Sequence, residues 1–295
     1  MPMPLDTRTL HPGTNLADFG DWLFGGGLWR FPGAIGAQGK LLNELVKEVE
    51  QAFAPHPLTQ AHLHFSNLAF IDKIEAAQAG VTALSEQLVK AIVENLGWLK
   101  DDCYWDRLVL RIVPPLGHYA ITNRNQHTPV HRDTWGVNLY SQCNWWLSLT
   151  GLDANTCMRF YPDYWTRPIA NSCDSWSYQD YARALMATPA GSKADYPSVP
   201  VALTSPDNPS LMLIDPMEWM VFSAAHLHDT APNQGDTTRF SLEFRSIHLK
   251  HLEQGRSAPN LDNPAAGHLC GLFRRLSDNA RLTRDLLACA TTPGV

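Results

Sequence analysis

Apolar residues recur at helical spacing over the first third of the chain. Leu42, Leu45, Val46, Val49 and Phe53 fall on one face, and Leu84, Leu88, Ile92 and Leu96 repeat the pattern after Gly80. A period near 3.6 gathers such positions into one stripe, so both stretches are predicted to be helices that bury that stripe. Between them, Ser66 and Asn67 carry short polar side chains that can accept from free backbone N–H groups, which predicts the start of a third helix reaching about Ala77. The helical layer is expected over about residues 37–98.

Near residue 105 the pattern changes. Short runs rich in strand formers, at 108–113, 144–149, 158–161, 211–214, 218–222 and 238–248, alternate with Pro, Gly and Asn. Many short strands between turn residues predict a β sandwich or barrel, with a core over about 105–250. The polar stretch 163–209, with a helix expected around 178–186, is too long for a turn and is predicted to form a lid over one mouth of the barrel. Helical spacing returns at about 272–287, predicting a C-terminal helix packed outside. The expected organisation is mainly β with flanking helices, in a single domain over 1–295.

Composition narrows the choice of partners. A chain of 295 residues with 44% hydrophobic content can bury a sizeable core. A net charge of −6 without a basic run argues against a nucleic-acid partner, whose phosphates need a positive face. No stretch of about 18 apolar residues offers a membrane span, and residues 1–14 lack the apolar segment of a signal peptide, so a soluble, cytoplasmic protein is expected. The six cysteines (Cys103, Cys143, Cys157, Cys173, Cys270, Cys289) contain no Cys-x-x-Cys and are expected to be packed free thiols.

The chemistry concentrates in the strand-rich half. His131 and Asp133 are two apart, so on an extended segment both side chains point one way while Arg132 points the other. A His-x-Asp triplet is expected about once by chance in a chain this rich in His, so it gains meaning only from partners farther along the chain. Downstream, His226 and His228 share strand parity, and either could complete a set of two imidazoles and one carboxylate. That set suits non-haem iron because it holds one face of the ion and leaves three positions open. In the last strand Arg239, Ser241, Glu243 and Arg245 share one parity against Phe240, Leu242 and Phe244, which turns Arg239 toward the polar interior. Gln142, Asn144, Trp146 and Ser148 form a second such row opposite Cys143, Trp145 and Leu147. A competing triplet, His251-Leu252-Glu253, has only His268 beyond it and no Arg at a suitable distance.

Four segments together resemble the iron(II)/2-oxoglutarate-dependent oxygenases, in particular the phytanoyl-CoA dioxygenase-like branch: His131-Arg132-Asp133-Thr134-Trp135, Asn144-Trp145-Trp146, His228-Asp229-Thr230-Ala231-Pro232-Asn233 and Arg239-Phe240-Ser241. The resemblance covers about residues 105–250 and implies a double-stranded β-helix, or cupin-like jelly roll. It implies Fe(II) on His131, Asp133 and His228, with His226 behind them as a second-rank candidate. It further implies that Arg239 holds the far carboxylate of 2-oxoglutarate, that Thr230 and Ser241 add neutral hydrogen bonds, and that Asn144 touches the same co-substrate. The family's reaction consumes O₂ and 2-oxoglutarate, releases succinate and CO₂, and by default hydroxylates its substrate, here expected to be a small polar, amino-acid-derived metabolite. His127, Trp135, Trp146 and His226 are candidates for the substrate pocket. Where many members have Pro-Gly-Ser-His, this chain has Tyr161-Pro162-Asp163-Tyr164-Trp165, a departure that bears on substrate and leaves the iron site intact. Asp133 occupies the ligand position that halogenases leave to halide, which argues against halogenation. The competing classes are a cupin-like metalloenzyme that does not use 2-oxoglutarate, which would replace Arg239 with a further ligand, and a non-catalytic ligand-binding barrel, which would not need Asp133.

Overall fold

A computed structural model describes residues 5–118, 127–189, 192–265 and 267–289. Its strands form two sheets. The larger runs β1 (Thr7–Thr9), β2 (Leu28–Pro32), β8 (Glu218–Ser223), β5 (Cys143–Ser148), β10 (Arg239–His248), β3 (Cys103–Trp105) and β11 (Arg274–Arg275), with β4 (Val109–Val113) also paired to β10. The smaller has the order β7 (Ser210–Met212), β6 (Met158–Phe160), β9 (His228–Thr230), and a bridge from His131 to His228 continues it by one more segment.

From β4 onward the chain crosses between the sheets: β4 in the larger, His131 in the smaller, β5 in the larger, β6 and β7 in the smaller, then β8, β9 and β10 in alternation. This is a jelly roll, in which β4, β10, β5 and β8 of the larger sheet face β7, β6, β9 and the His131 segment of the smaller, and neither sheet closes on itself. Each strand therefore has one face inward and one outward, which is what the alternating sequence rows require. In register, Glu243 lies opposite Trp146 and Arg245 opposite Asn144, so the polar row of β10 meets that of β5 on the inner face. The outer face carries Phe240, Leu242, Trp145, Leu147 and Trp219 into the main hydrophobic core.

Helices cover that outer face. α2 (Gly36–Phe53) and α3 (Asn67–Asn95) pack together, and Phe53 meets Phe240 of β10 edge to face with ring centroids 5.1 Å apart. Ser66 caps α3 by accepting from Ala69 N at 3.3 Å. The two helices expected on either side of Gly80 are one continuous helix of 29 residues. A mid-helix Gly costs only about 1 kcal/mol relative to Ala, and the buried side chains Ile74, Ala77, Val81 and Leu88 hold the helix across it. Gly80 is also where the helices approach closely, since a Cβ there would come within 3.1 Å of Glu48 Cβ.

Two regions depart from the expected pattern. Ahead of residue 37, α1 (Leu16–Phe24) and the strands β1 and β2 extend the larger sheet beyond β8. The helix expected at about 272–287 is confined to α7 (Arg284–Cys289), which lies near α6 (Leu249–Glu253). Before α7, a short 3-10 turn at Cys270–Leu272 leads into β11, where Leu276 N bonds to Cys103 O at 2.9 Å and Leu276 is buried. Asn279 then turns the chain with φ of +61°, which no helix continues through. The sheet edge of β3 thus captures residues whose spacing alone reads as helical. No described helix is long and apolar enough to cross a membrane.

Candidate metal centre

The site begins with a pair of backbone hydrogen bonds. His131 and His228 exchange N–H and C=O at 3.0 Å in both directions, which sets two side chains next to each other across the smaller sheet, with ring centroids 4.3 Å apart. Each Nδ1 faces a carbonyl two residues away: Pro129 O at 2.8 Å for His131 and His226 O at 2.9 Å for His228. A carbonyl can only accept, so each Nδ1 carries the proton and each Nε2 presents its lone pair to the interior. Asp133 Oδ1 lies 3.3 Å from His131 Nε2. The three ligand atoms all fall within 4.8 Å of one another, the single such group found among the described residues.

The carboxylate is held from its other side. Asn144 Nδ2 donates to Asp133 Oδ2 at 2.5 Å, and Gln142 Nε2 donates to Asn144 Oδ1 at 2.8 Å. Burial pushes the Asp133 carboxyl up, but its place beside the His131 and His228 rings and near Arg245 outweighs that and keeps the acid well below the usual carboxylate range. Burial, together with the neighbouring His131, lowers His228 to about 4. Near neutral pH the site therefore offers a carboxylate and a neutral imidazole, the forms that bind a divalent ion. Asn144, expected at the co-substrate, lines the cavity and also orients Asp133. Asn144→Ala is expected to weaken Fe(II) binding about 10- to 100-fold, the usual effect of losing a partner behind a ligand; titration against a competing chelator measures it, and unchanged affinity would make the hydrogen bond irrelevant to the site.

Asp133 also starts α4 (Asp133–Val137). Arg132 before it is extended and points away, with its guanidinium on Ala225 O, Tyr164 O, Arg167 O and Asp262. Because the chain turns helical at Asp133, Trp135 lies about 200° round the helix from it, where a strand would have put the two on one side. Trp135 accordingly does not line the cavity; it packs with Tyr161, Ile169, Cys173 and Leu227, and its Nε1 donates to Asp262 at 2.7 Å. His226 also lies off the cavity, buried against Trp165, Phe160 and Phe222, with burial lowering it to about 3. It serves the site through its backbone carbonyl. His127 and Trp146 do line the cavity.

A cavity of about 530 Å³ opens from the triad toward Arg239. Arg239 is buried, yet the only hydrogen bond of its side chain among the described residues is from Nη1 to Thr156 O at 3.1 Å, and its Nε has no partner there. Its guanidinium sits 5.8 Å over the Trp146 ring, and burial lowers its pKa to about 10. Neighbouring acids are otherwise engaged: Glu243 with Arg111 at 2.8 Å and Asp106 with Arg245 at 2.7 Å. Among the described residues Arg239 has no ion pair. Ser241 Oγ, on the same face of β10, is buried without a partner, and Thr230 Oγ1 accepts from Thr128 N at 2.7 Å, which leaves its proton to donate. Thr230 lines the cavity; Ser241 stands behind the lining.

The far wall comes from the 163–209 stretch. Trp176, Tyr178, Tyr181 and Leu185 of α5 (Tyr178–Ala187) and its approach line the cavity, as do Val199 and Pro200. The sequence marks a lid there but offers no signal for which of its residues face the site. The competing triplet forms no metal group: His251 is buried with Nε2 on Leu16 O at 3.1 Å.

The structure is thus a jelly roll that gathers two imidazoles and one carboxylate in the spacing a metal ion needs. Among solved structures the chain is similar to EvdO2 from Micromonospora carbonacea var. aurantiaca, at 12% identity over 89% of this chain and 97% of that one, with a TM-score of 0.43. It is also similar to the non-haem α-ketoglutarate-dependent carbocyclase SnoK from nogalamycin biosynthesis (13%, 90% and 98%, TM-score 0.41) and to an oxidoreductase of the 2OG-Fe(II) oxygenase family from Burkholderia pseudomallei (12%, 88% and 100%, TM-score 0.40). No family model and no curated protein matches the sequence. With these TM-scores below 0.5, the functional reading is carried by the chain's own residues.

Proposed function

We propose that this chain is an Fe(II)/2-oxoglutarate-dependent dioxygenase that hydroxylates a small molecule bearing polar groups. The observation that carries this is Arg239: a buried guanidinium without an ion pair among the described residues, in the same cavity as the triad. A buried cation is costly until an anion reaches it, and the rigid fork of Arg suits both oxygens of a carboxylate. The residues fit the group. His131 Nε2, Asp133 and His228 Nε2 would hold iron on one face, and the open positions would take the keto acid's C1 carboxylate, its 2-oxo group and O₂. When bound, iron and 2-oxoglutarate supply the activation of O₂, with succinate and CO₂ as products.

The chain's own part is placement. Arg239 holds the C5 carboxylate, with the Thr230 hydroxyl as a donor along the cavity and Ser241 beside Arg239. Gln142 and Asn144 fix the Asp133 carboxylate, and α5 limits entry of water. Asp133 fills the position that halide would need, which favours oxygen transfer. The test is turnover of 2-oxoglutarate labelled at C1 by the Fe(II)-loaded protein in air. Release of labelled CO₂ in step with succinate, lost in Asp133→Ala, is the expected result. Failure of the Fe(II)-loaded protein to bind 2-oxoglutarate overturns the proposal.

A further inference from the structure

Helix α5 turns its apolar side to the cavity and buries none of its residues in the fold. Ser177 caps it by accepting from Asp180 N, and Tyr178, Tyr181 and Leu185 then fall three and four residues apart, on one stripe. All three line the cavity that contains the metal triad. Trp176 lengthens the stripe: it is pinned by Nε1 to Pro197 O at 2.8 Å, and the centroids of Trp176, Tyr178 and Tyr181 follow one another at 6.5 Å intervals. Trp176 also packs over Gly136 of α4, where a Cβ would sit 3.7 Å from its ring. An amphipathic helix ordinarily hides such a stripe against the core. Here the stripe faces open volume beside the triad, so its partner is whatever enters that volume.

Charge adds a second constraint. Of the other arginines lining the cavity, Arg111 pairs with Glu243, Arg132 with Asp262 and Arg245 with Asp106. Arg107 is exposed on the lining, and its side chain makes no ion pair or hydrogen bond among the described residues. At about 530 Å³ the cavity falls within the roughly 300–1,000 Å³ of small-molecule sites, enough for a second small acid beside the co-substrate.

We propose that the substrate is an aromatic carboxylic acid whose flat ring system packs on Trp176, Tyr178 and Tyr181 and whose carboxylate is held by Arg107. The proposal rests on the dioxygenase reading only for placing that ring beside the metal; the aromatic wall and Arg107 need no iron. Three probes test it by anaerobic calorimetry on the full chain with Fe(II) and 2-oxoglutarate: 1-naphthoate, cyclohexanecarboxylate (same charge, no aromatic ring) and 1-naphthalenemethanol (same ring, no charge). The expected result is that naphthoate binds about tenfold more tightly than either control, since one aromatic contact and one charge contact are each worth about that factor. Tyr181→Ala and Arg107→Ala should each weaken naphthoate about tenfold, Tyr181→Phe should keep it, and Arg107→Ala should leave naphthalenemethanol unchanged. Equal binding of the two acids, no naphthoate binding, unchanged affinity in Tyr181→Ala, or displacement of 2-oxoglutarate by naphthoate overturns the proposal. If 2-oxoglutarate binds and naphthoate does not, only the substrate class falls. If naphthoate binds in a Tyr181-dependent way and 2-oxoglutarate does not, the dioxygenase reading falls and the aromatic-acid site stands.

Discussion

Replacing His131, Asp133 or His228 with Ala is expected to lower Fe(II) affinity by more than about 100-fold, beyond the effect of losing a partner behind a ligand. His226→Ala should keep the metal. The contrast comes from how the two late histidines are used. His228 turns Nε2 to the interior because its Nδ1 is tied to the carbonyl of residue 226, and that carbonyl survives any substitution of the His226 side chain. The His226 ring is packed among Trp165, Phe160 and Phe222, so its loss is expected to register in thermal stability instead. Metal content of the four purified variants decides the matter. Iron lost from the His226 variant and kept by the His228 variant would mean that the third ligand is wrongly assigned.

How much of this is legible in the sequence depends on how far each local pattern extends before the tertiary structure intervenes. The alternation in β10 and β5 runs for six residues or more with one face in the core, so parity alone turns Arg239 and Asn144 inward. The two-residue spacing of His131 and Asp133 is also readable, because Arg132 between them is extended. One residue later the rule fails. The chain becomes helical at Asp133, and Trp135, which strand parity would aim at the pocket, is carried to the opposite side.

Elsewhere the missing information lies in distant partners. β11 is two residues long and exists because β3 offers an unpaired edge, which no local spacing announces. The continuity of α3 through Gly80 depends on α2 lying against it. Asn144 is a further case: its place on the inner face is set by alternation, but its bond to Asp133 depends on the turn that brings residue 133 back over β5. α5 is recognisable as a helix from its own residues, yet its apolar stripe lacks a partner within the fold, so its role emerges only once the cavity is seen.

Arg239→Ala is expected to weaken 2-oxoglutarate binding by about 2–5 kcal/mol, the cost of removing one member of a buried charge pair, while Fe(II) binding is largely kept. The expectation rests on the contrast with the other arginines of β10 and β4. Arg245 is already neutralised by Asp106 and Arg111 by Glu243, so neither offers an uncommitted charge. Arg239 has one hydrogen bond to a carbonyl and a buried Nε without a partner among the described residues, and although burial lowers its pKa to about 10 it remains a cation near neutral pH. Arg239→Lys should fall between wild type and Ala, because an ammonium preserves the charge and loses the two-pronged geometry. The absorbance that develops when 2-oxoglutarate chelates Fe(II), titrated anaerobically, reports both affinities in one experiment. An unchanged titration in the Ala variant would transfer the role to Arg245, at the expense of its pair with Asp106. If the Ala variant lost iron as well, Arg239 would be supporting the metal site itself, and the assignment of its guanidinium to the far carboxylate would fail.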